Sequence, residues 1–264
     1  MENNNERYVL SDKIEPFYHV HFEDDPEVAK TESSIIISSN RELEMILLCL
    51  EENVSVSISR AAEIAHRESV FLLLDKNISE VKKEIKWTYK EYEDAKKLIT
   101  KIPMLDYIKN ALSDRKTKIN KEFVHKSDEK NVLISEAEVL GKMYYFLGGT
   151  DTKEILLDHY SDHMSGIMIF EAVRQAGIAS IHLLDIPLTG VIVITKSVIE
   201  YDRFIEYGKP YYIQTMPVVR SRGGTGFCVF NVIQDGRSCV KGYFSGFLYK
   251  TQEDYLKFAR KIKR

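Results

Sequence analysis

Asp158-His159-Tyr160-Ser161-Asp162-His163-Met164-Ser165-Gly166 runs straight into Ile167-Met168-Ile169-Phe170-Glu171-Ala172-Val173-Arg174-Gln175-Ala176. From about residue 165 to 184 apolar side chains recur all around the helical wheel. This predicts a helix enclosed in a core rather than laid on a surface. Such a helix rarely carries charge, yet at about 100° per residue Glu171, Arg174 and Gln175 share one face. His182, eleven residues after Glu171, returns to nearly the same direction. An otherwise apolar helix therefore carries a polar stripe.

The stripe has two readings. In one, Glu171 and Arg174 at i, i+3 form a satisfied buried ion pair that does no chemistry. In the other it is a reaction site, and the approach segment adds to it. Asp158-His159 and Asp162-His163 are acid–imidazole pairs within six residues, able to shuttle a proton while the carboxylate fixes the ring tautomer. Ser165-Gly166 begins the helix, where unpaired N–H groups and the positive dipole end hold an oxygen that gains negative charge. Asp162 and Ser165 also suit the plainer task of capping the helix. The His and Asp spacing fits no zinc motif and no Cys pair lies nearby, so no metal site is expected.

The 264 residues suffice for one large domain or two small ones, and 44% hydrophobic with 29% charged residues describes an ordinary globular chain. A formal net charge of -3 argues against a dominant nucleic-acid surface. The N-terminus lacks the layout of a secretory signal and no apolar run has the length of a membrane span. Cys49, Cys228 and Cys239 are scattered without a CxxC, which suits a reducing compartment. A cytoplasmic protein with no membrane contact is expected.

Residues 1–115 read as a mixed, largely helical extension. His19 and His21 alternate on one face of a strand, a candidate site or simply its polar side. Ile78, Val81, Ile85, Tyr92, Ala95, Ile99 and Ile102 predict a long amphipathic helix ended by Pro103. Ser57 to Ala65 has a faint look of a helix-turn-helix start, without the Gly turn that should follow. Beyond a charged stretch near Ser113 to Lys118 the pattern turns to strands: Val132 to Val139, Lys142 to Leu147, Gly190 to Glu200, Pro210 to Val219, Gly226 to Ile233 and Ser238 to Tyr249. Asp235-Gly236 marks a tight hairpin between the last two. Antiparallel strands interrupted once by a helix apolar on all sides predict an α+β hotdog fold: a curved antiparallel sheet around a central buried helix at about 165–184. This domain spans 120–250, and 251–264 reads as a basic amphipathic helix.

Asp158-His159-x-x-Asp162-His163-x-Ser165-Gly166, followed by Glu171-Ala172-x-Arg174-Gln175-Ala176, resembles the signature of the A-factor biosynthesis (AfsA-type) hotdog family. Phe123-Val124-His125-Lys126, then Asp128 and Val132-Leu133-Ile134, is similar to the Val-His-Lys start of that family's domain. The resemblance covers about residues 121–250. It implies transfer of a β-ketoacyl chain from a carrier protein to dihydroxyacetone phosphate, on the way to γ-butyrolactone signals. More distant hotdog relatives are dehydratases and thioesterases. This chain has Ser165 where the family usually has Pro, and one hotdog where signalling members carry two, so a homodimer is expected.

The roles follow as expectations. Glu171 serves as general base or orients the nucleophile, burial raising its pKa and Arg174 lowering it. Arg174 balances Glu171 or grips a substrate phosphate. Gln175 positions a polar substrate atom. Gly166 offers N–H groups to the thioester carbonyl, and His159 or His163 shuttles a proton with Asp158 or Asp162 behind it. Arg220 and Arg222, in the Gly-rich Arg220-Ser221-Arg222-Gly223-Gly224-Thr225-Gly226, receive a phosphate of carrier pantetheine, coenzyme A or a triose. Arg237, Lys241 and the basic tail face an acidic acyl carrier protein. The pantetheine or coenzyme A thioester is substrate, and no tightly bound cofactor is expected. The alternatives are an acyl-thioester dehydratase or thioesterase, and a non-catalytic acyl-binding or dimerising scaffold.

Overall fold

Short β-branched runs separated by polar turns dominate the beginning of the chain, and they pair as strands. The computed structural model describes residues 5–9, 17–25, 31–50, 53–59, 89–114, 117–150, 162–184, 186–219 and 224–262. Two units divide the chain: residues 1–106 with 140–143, and residues 107–139 with 144–264. The first contains β1 (Asn5–Val9), β2 (Tyr18–Phe22), β3 (Ser34–Ile37), α1 (Asn40–Leu50), β4 (Val54–Ser59) and α2 (Tyr89–Ile99). Its sheet has the order β1-β4-β2-β3, with β1 antiparallel to β4, and β2 parallel to both β4 and β3. The described part before residue 60 is thus a small sheet with one helix, and the helical stretch expected after it is described only from residue 89 onward. The alternation in Tyr18-His19-Val20-His21-Phe22 buries Tyr18, Val20 and Phe22 fully or nearly so, a strand pattern. His19 Nδ1 lies 2.7 Å from Ser55 Oγ on β4. Most of the expected long helix, and of the helix-turn-helix look, lies outside the described residues.

The second unit contains nearly all of α3 (Asp106–Asp114), most of β5 (Glu138–Leu140) and β6 (Met143–Leu147), and all of α4 (Gly166–Leu184), β7 (Val191–Tyr201), β8 (Tyr212–Val219), β9 (Thr225–Gln234), β10 (Arg237–Tyr249) and α5 (Gln252–Ile262). Its sheet runs β5-β6-β8-β9-β10-β7, and the pairs β6–β8, β8–β9, β9–β10 and β10–β7 are all antiparallel. The β9–β10 hairpin turns at Asp235 (φ 50°) and Gly236 (φ 72°), the double positive φ that the sequence pair anticipates.

Helix α4 packs on this sheet as expected from its all-round apolarity. Met168, Ile169, Ala172, Val173, Ala176 and Ala179 are buried with Phe146, Ile213, Phe230, Val232 and Phe244. Small residues on that face let helix and sheet approach: a Cβ on Gly177 would stand 3.4 Å from Phe244 Cδ2. By length and composition α4 would also cross a bilayer, but most of it is buried inside the fold. Register shifts at Ser245/Gly246 in the β10–β7 pairing and at Ser238/Val240 in the β10–β9 pairing bend the long strand β10. The geometry is the hotdog arrangement, a six-stranded antiparallel sheet with the helix against it. The C-terminal helix is present as α5, with Phe258 packed against Phe247 and Tyr249, each pair with ring centroids 5.6 Å apart.

One strand expectation needs correction. Residues 132–139 take strand geometry only from Glu138 onward. Ahead of it, Ile134 and Ser135 make isolated bridges to Gly148 and Lys118, while the Leu133 N–H is claimed by the side chain of Gln175. The donor given to that helix side chain is withheld from a ladder at this point.

Candidate active site

The polar stripe of α4 becomes a cluster because a short 3-10 turn packs against it. The turn covers Lys121–Val124, is capped at its start by Asn120 and ends at His125 in the left-handed conformation, φ 56° and ψ 44°. It presents Lys126 to α4. There Lys126 Nζ lies 3.0 Å from Glu171 Oε1, while Arg174 donates Nε–H to Oε2 and Nη2–H to Oε1, each at 2.7 Å. Gln175 Nε2 donates to Glu171 Oε1 at 2.9 Å and to the Asn131 carbonyl at 2.8 Å, and its Oε1 accepts the Leu133 N–H at 2.8 Å.

Three donors thus converge on Oε1, while Oε2 takes only the Arg174 Nε–H among the described residues. Burial pushes the Glu171 carboxyl up. Arg174, then Gln175 and Lys126, overcome that and hold it at about 2. Glu171 is a fixed anion at neutral pH and a weak proton acceptor, which favours the orienting role over that of general base. Gln175 is 0% exposed and every amide proton is used, so it holds Glu171 and the 131–133 segment in place. The expectation that it touches substrate is corrected accordingly.

Asp162 and His163 lie at the entrance of α4. His163 Nδ1 is 2.8 Å from Asp162 Oδ1, as a tautomer-fixing pair requires, and its ring stacks on Phe204 with centroids 4.8 Å apart. Backbone hydrogen bonds from Met164 N–H to the Ile205 carbonyl and from Tyr207 N–H to the Asp162 carbonyl tie this entrance to residues 204–207. These surroundings are those of an anchor. Ser165 Oγ accepts the Ile167 N–H at 3.3 Å, and the Gly166 carbonyl accepts from Tyr201 Oη at 2.9 Å, which fixes the first turn. Asp158, His159, Arg220 and Arg222 lie outside the described residues. Lys241 pairs with Asp202 and Glu200 on its own sheet.

Two residues absent from the sequence-derived site stand in it. Lys126 is one, and His125 is the other: its Nε2 lies 2.8 Å from Nε2 of His182. Their signal was the Val124-His125-Lys126 stretch itself, which periodicity could not connect to a helix 45 residues later. Among the described residues no group of His, Cys, Asp and Glu gathers as metal ligands do.

The profile of the A-factor biosynthesis hotdog domain matches residues 108–250. Similar solved structures include a sigma28-regulated virulence protein from Campylobacter jejuni, 13% identical over 51% of this chain and 88% of that one, TM-score 0.36. A hypothetical thioesterase with coenzyme A from Streptococcus pneumoniae is 19% identical over 43% of this chain and 84% of that one, TM-score 0.33. A thioesterase from Haemophilus influenzae is 9% identical over 44% of this chain and 77% of that one, TM-score 0.36. No curated protein matches the chain.

Proposed function

The chain belongs to the A-factor biosynthesis hotdog family, and from that premise we propose that it processes acyl thioesters. In its specific form, it moves an acyl or β-ketoacyl chain from a carrier protein or coenzyme A to a small hydroxylated acceptor such as dihydroxyacetone phosphate. The reading places it in γ-butyrolactone-type signal or secondary-metabolite synthesis. The observation that carries it is the Lys126–Glu171–Arg174 cluster, two cations against one carboxylate on the enclosed helix.

Arg174 spends Nε–H and one Nη2–H on Glu171, and its remaining N–H groups suit a phosphate or carbonyl oxygen. Glu171 holds Arg174 and Lys126 in place, and the outer N–H groups of Arg174 then orient the acceptor so that its hydroxyl oxygen meets the thioester carbon. The pantetheine or coenzyme A arm enters as part of the substrate.

Intact-mass spectrometry tests this with a panel of acyl and β-ketoacyl carrier-protein and coenzyme A thioesters, with and without dihydroxyacetone phosphate. Acyl loss only when the triose is present is the expected result. Loss without it identifies a thioesterase, and loss of one water a dehydratase. A panel that survives unchanged sinks the enzymatic reading in favour of an acyl-binding scaffold.

The same reading makes the protein a homodimer. Strand β7 is an eleven-residue strand at the sheet edge, and Tyr201, Phe204 and Tyr207 beside it are 51%, 78% and 56% exposed. An open edge flanked by aromatic side chains is the kind of surface a second copy covers. Light scattering should return twice the chain mass, and Phe204→Asp should weaken association by about 30-fold or more. A monomer at micromolar concentration would rule the dimer out.

A further inference from the structure

The His125–His182 pair has a proton arrangement that its contacts dictate. His182 is on α4 and 7% exposed, with Nδ1 2.9 Å from the Ile186 carbonyl. A carbonyl only accepts, so His182 Nδ1 carries the hydrogen and, in the neutral ring, Nε2 is bare. That bare Nε2 faces His125 Nε2 at 2.8 Å, so His125 donates from Nε2. His125 is then left with an unprotonated Nδ1, which has no partner among the described residues, on a residue that keeps part of its surface open to solvent.

The backbone supports a functional placement. His125 and Asp235 are the non-glycine residues with positive φ among those described. Asp235 serves a hairpin turn. His125 ends a 3-10 turn where Gly or Asn would sit more comfortably, at a strain of about 1 kcal/mol. The gain is geometric: from one turn, His125 reaches His182 while Lys126 reaches Glu171, eleven residues earlier on α4. Partial burial, and then His182 and Arg174, the groups that face it, disfavour a second proton on His125. The ring therefore stays neutral and able to accept a proton where Glu171 is a weak acceptor.

We propose that His125 is the general base of the reaction and that His182 is the positioning residue that fixes its tautomer. This rests on the acyl-transfer reading above. With the acceptor's anionic end on Lys126 and Arg174, its hydroxyl meets His125 Nδ1. Nδ1 takes the hydroxyl proton as the acceptor oxygen bonds to the thioester carbon. The C–S bond then breaks, and the Nδ1 proton passes to the thiolate sulfur. Ester and thiol leave, and neutral His125 is restored.

The tautomers are readable without substrate by long-range 1H–15N NMR: Nε2–H on His125 and Nδ1–H on His182 are expected. Any other assignment overturns the pair arrangement, whatever the substrate proves to be. For the chemistry, His125→Gly suits the left-handed backbone and removes only the ring. It should lower kcat by about 10²–10⁴ with the acceptor KM little changed, and added imidazole should restore turnover in proportion to its neutral fraction. His182→Gln should lower kcat less and shift the acid limb of the pH profile, an effect a purely structural role would not produce. Full activity in His125→Gly, or a loss in the folded variant that imidazole does not relieve, overturns the base assignment. A wild-type protein that turns over no thioester overturns the transfer reading and the base role with it, while the tautomers still report on the pair by themselves.

Discussion

Glu171→Gln should cost the protein both turnover and stability, and the stability loss should vanish in acid. The wild-type carboxyl is held at about 2, against an ordinary value of 4.5, by Arg174, Gln175 and Lys126 acting against burial. A depressed carboxyl stabilises the fold fully above its unfolded pKa, and the contribution fades as pH falls from about 4.5 toward 2. Taken at face value, the shift corresponds to about 3 kcal/mol, and allowing for water at the edge of the cluster reduces it to about 2 kcal/mol. The amide of Gln carries no charge and leaves Lys126 and Arg174 without their shared anion. Urea unfolding should therefore show wild type ahead by about 2 kcal/mol at pH 7 and nearly level with the variant at pH 2.5. A gap that does not change with pH would mean that Glu171 supports the fold through packing rather than charge. Turnover at pH 7 should fall by about 10²-fold, because an amide cannot hold Arg174 and Lys126 where they position the acceptor. Unaltered turnover would remove Glu171 from the mechanism.

The cluster shows where sequence reading reaches and where it stops. Periodicity placed Glu171, Arg174, Gln175 and His182 on one face because helical neighbours three, four and eleven residues apart are fixed by local geometry. The enclosed helix and the antiparallel strands after it were legible for the same reason, as was the Asp235-Gly236 turn, where both residues need positive φ. Lys126 and His125 were not legible as site residues, since their approach to α4 depends on a turn docking across the fold. Gln175 misled in the opposite way. A polar residue on the stripe suggests a substrate contact, yet its partners are Glu171 and the backbone groups of Asn131 and Leu133, the last two of which no pattern in the sequence announces. The same side chain takes the Leu133 N–H out of the strand expected at 132–139. Among the early strands the alternation around His19 and His21 was legible, whereas β1, β3 and β4, at four to six residues, are too short for a period to separate a strand from a helix fragment.

Gly242→Ala should be among the most damaging single-methyl additions at the described glycines that lie in strands. Gly242 sits in β10, opposite Ile199 of β7 and Phe230 of β9. A Cβ there would stand 2.1 Å from the Val198 carbonyl oxygen and 2.5 Å from Phe230 Cζ. Neither neighbour yields easily. The carbonyl belongs to the backbone of the adjacent strand, and Phe230 is fully buried with its ring centroid 5.1 Å from that of Phe244. Relief requires β7 to draw away from β10 or Phe230 to leave the core beneath α4, and overpacking of this kind costs about 3 kcal/mol. In a unit of this size that lowers Tm by about 6–12 °C. Gly236→Ala is the control, since nothing lies within 4 Å of its would-be Cβ and only its φ of 72° opposes the change, at about 1 kcal/mol. The two variants separate close packing from backbone freedom, and the order of their melting temperatures is the result to check. If Gly242→Ala melts as high as Gly236→Ala, β7 is held loosely enough to retreat. The edge strand offered to a second copy would then be a pliant one, and the dimer would depend on Phe204 and its neighbours rather than on a strand fixed in register.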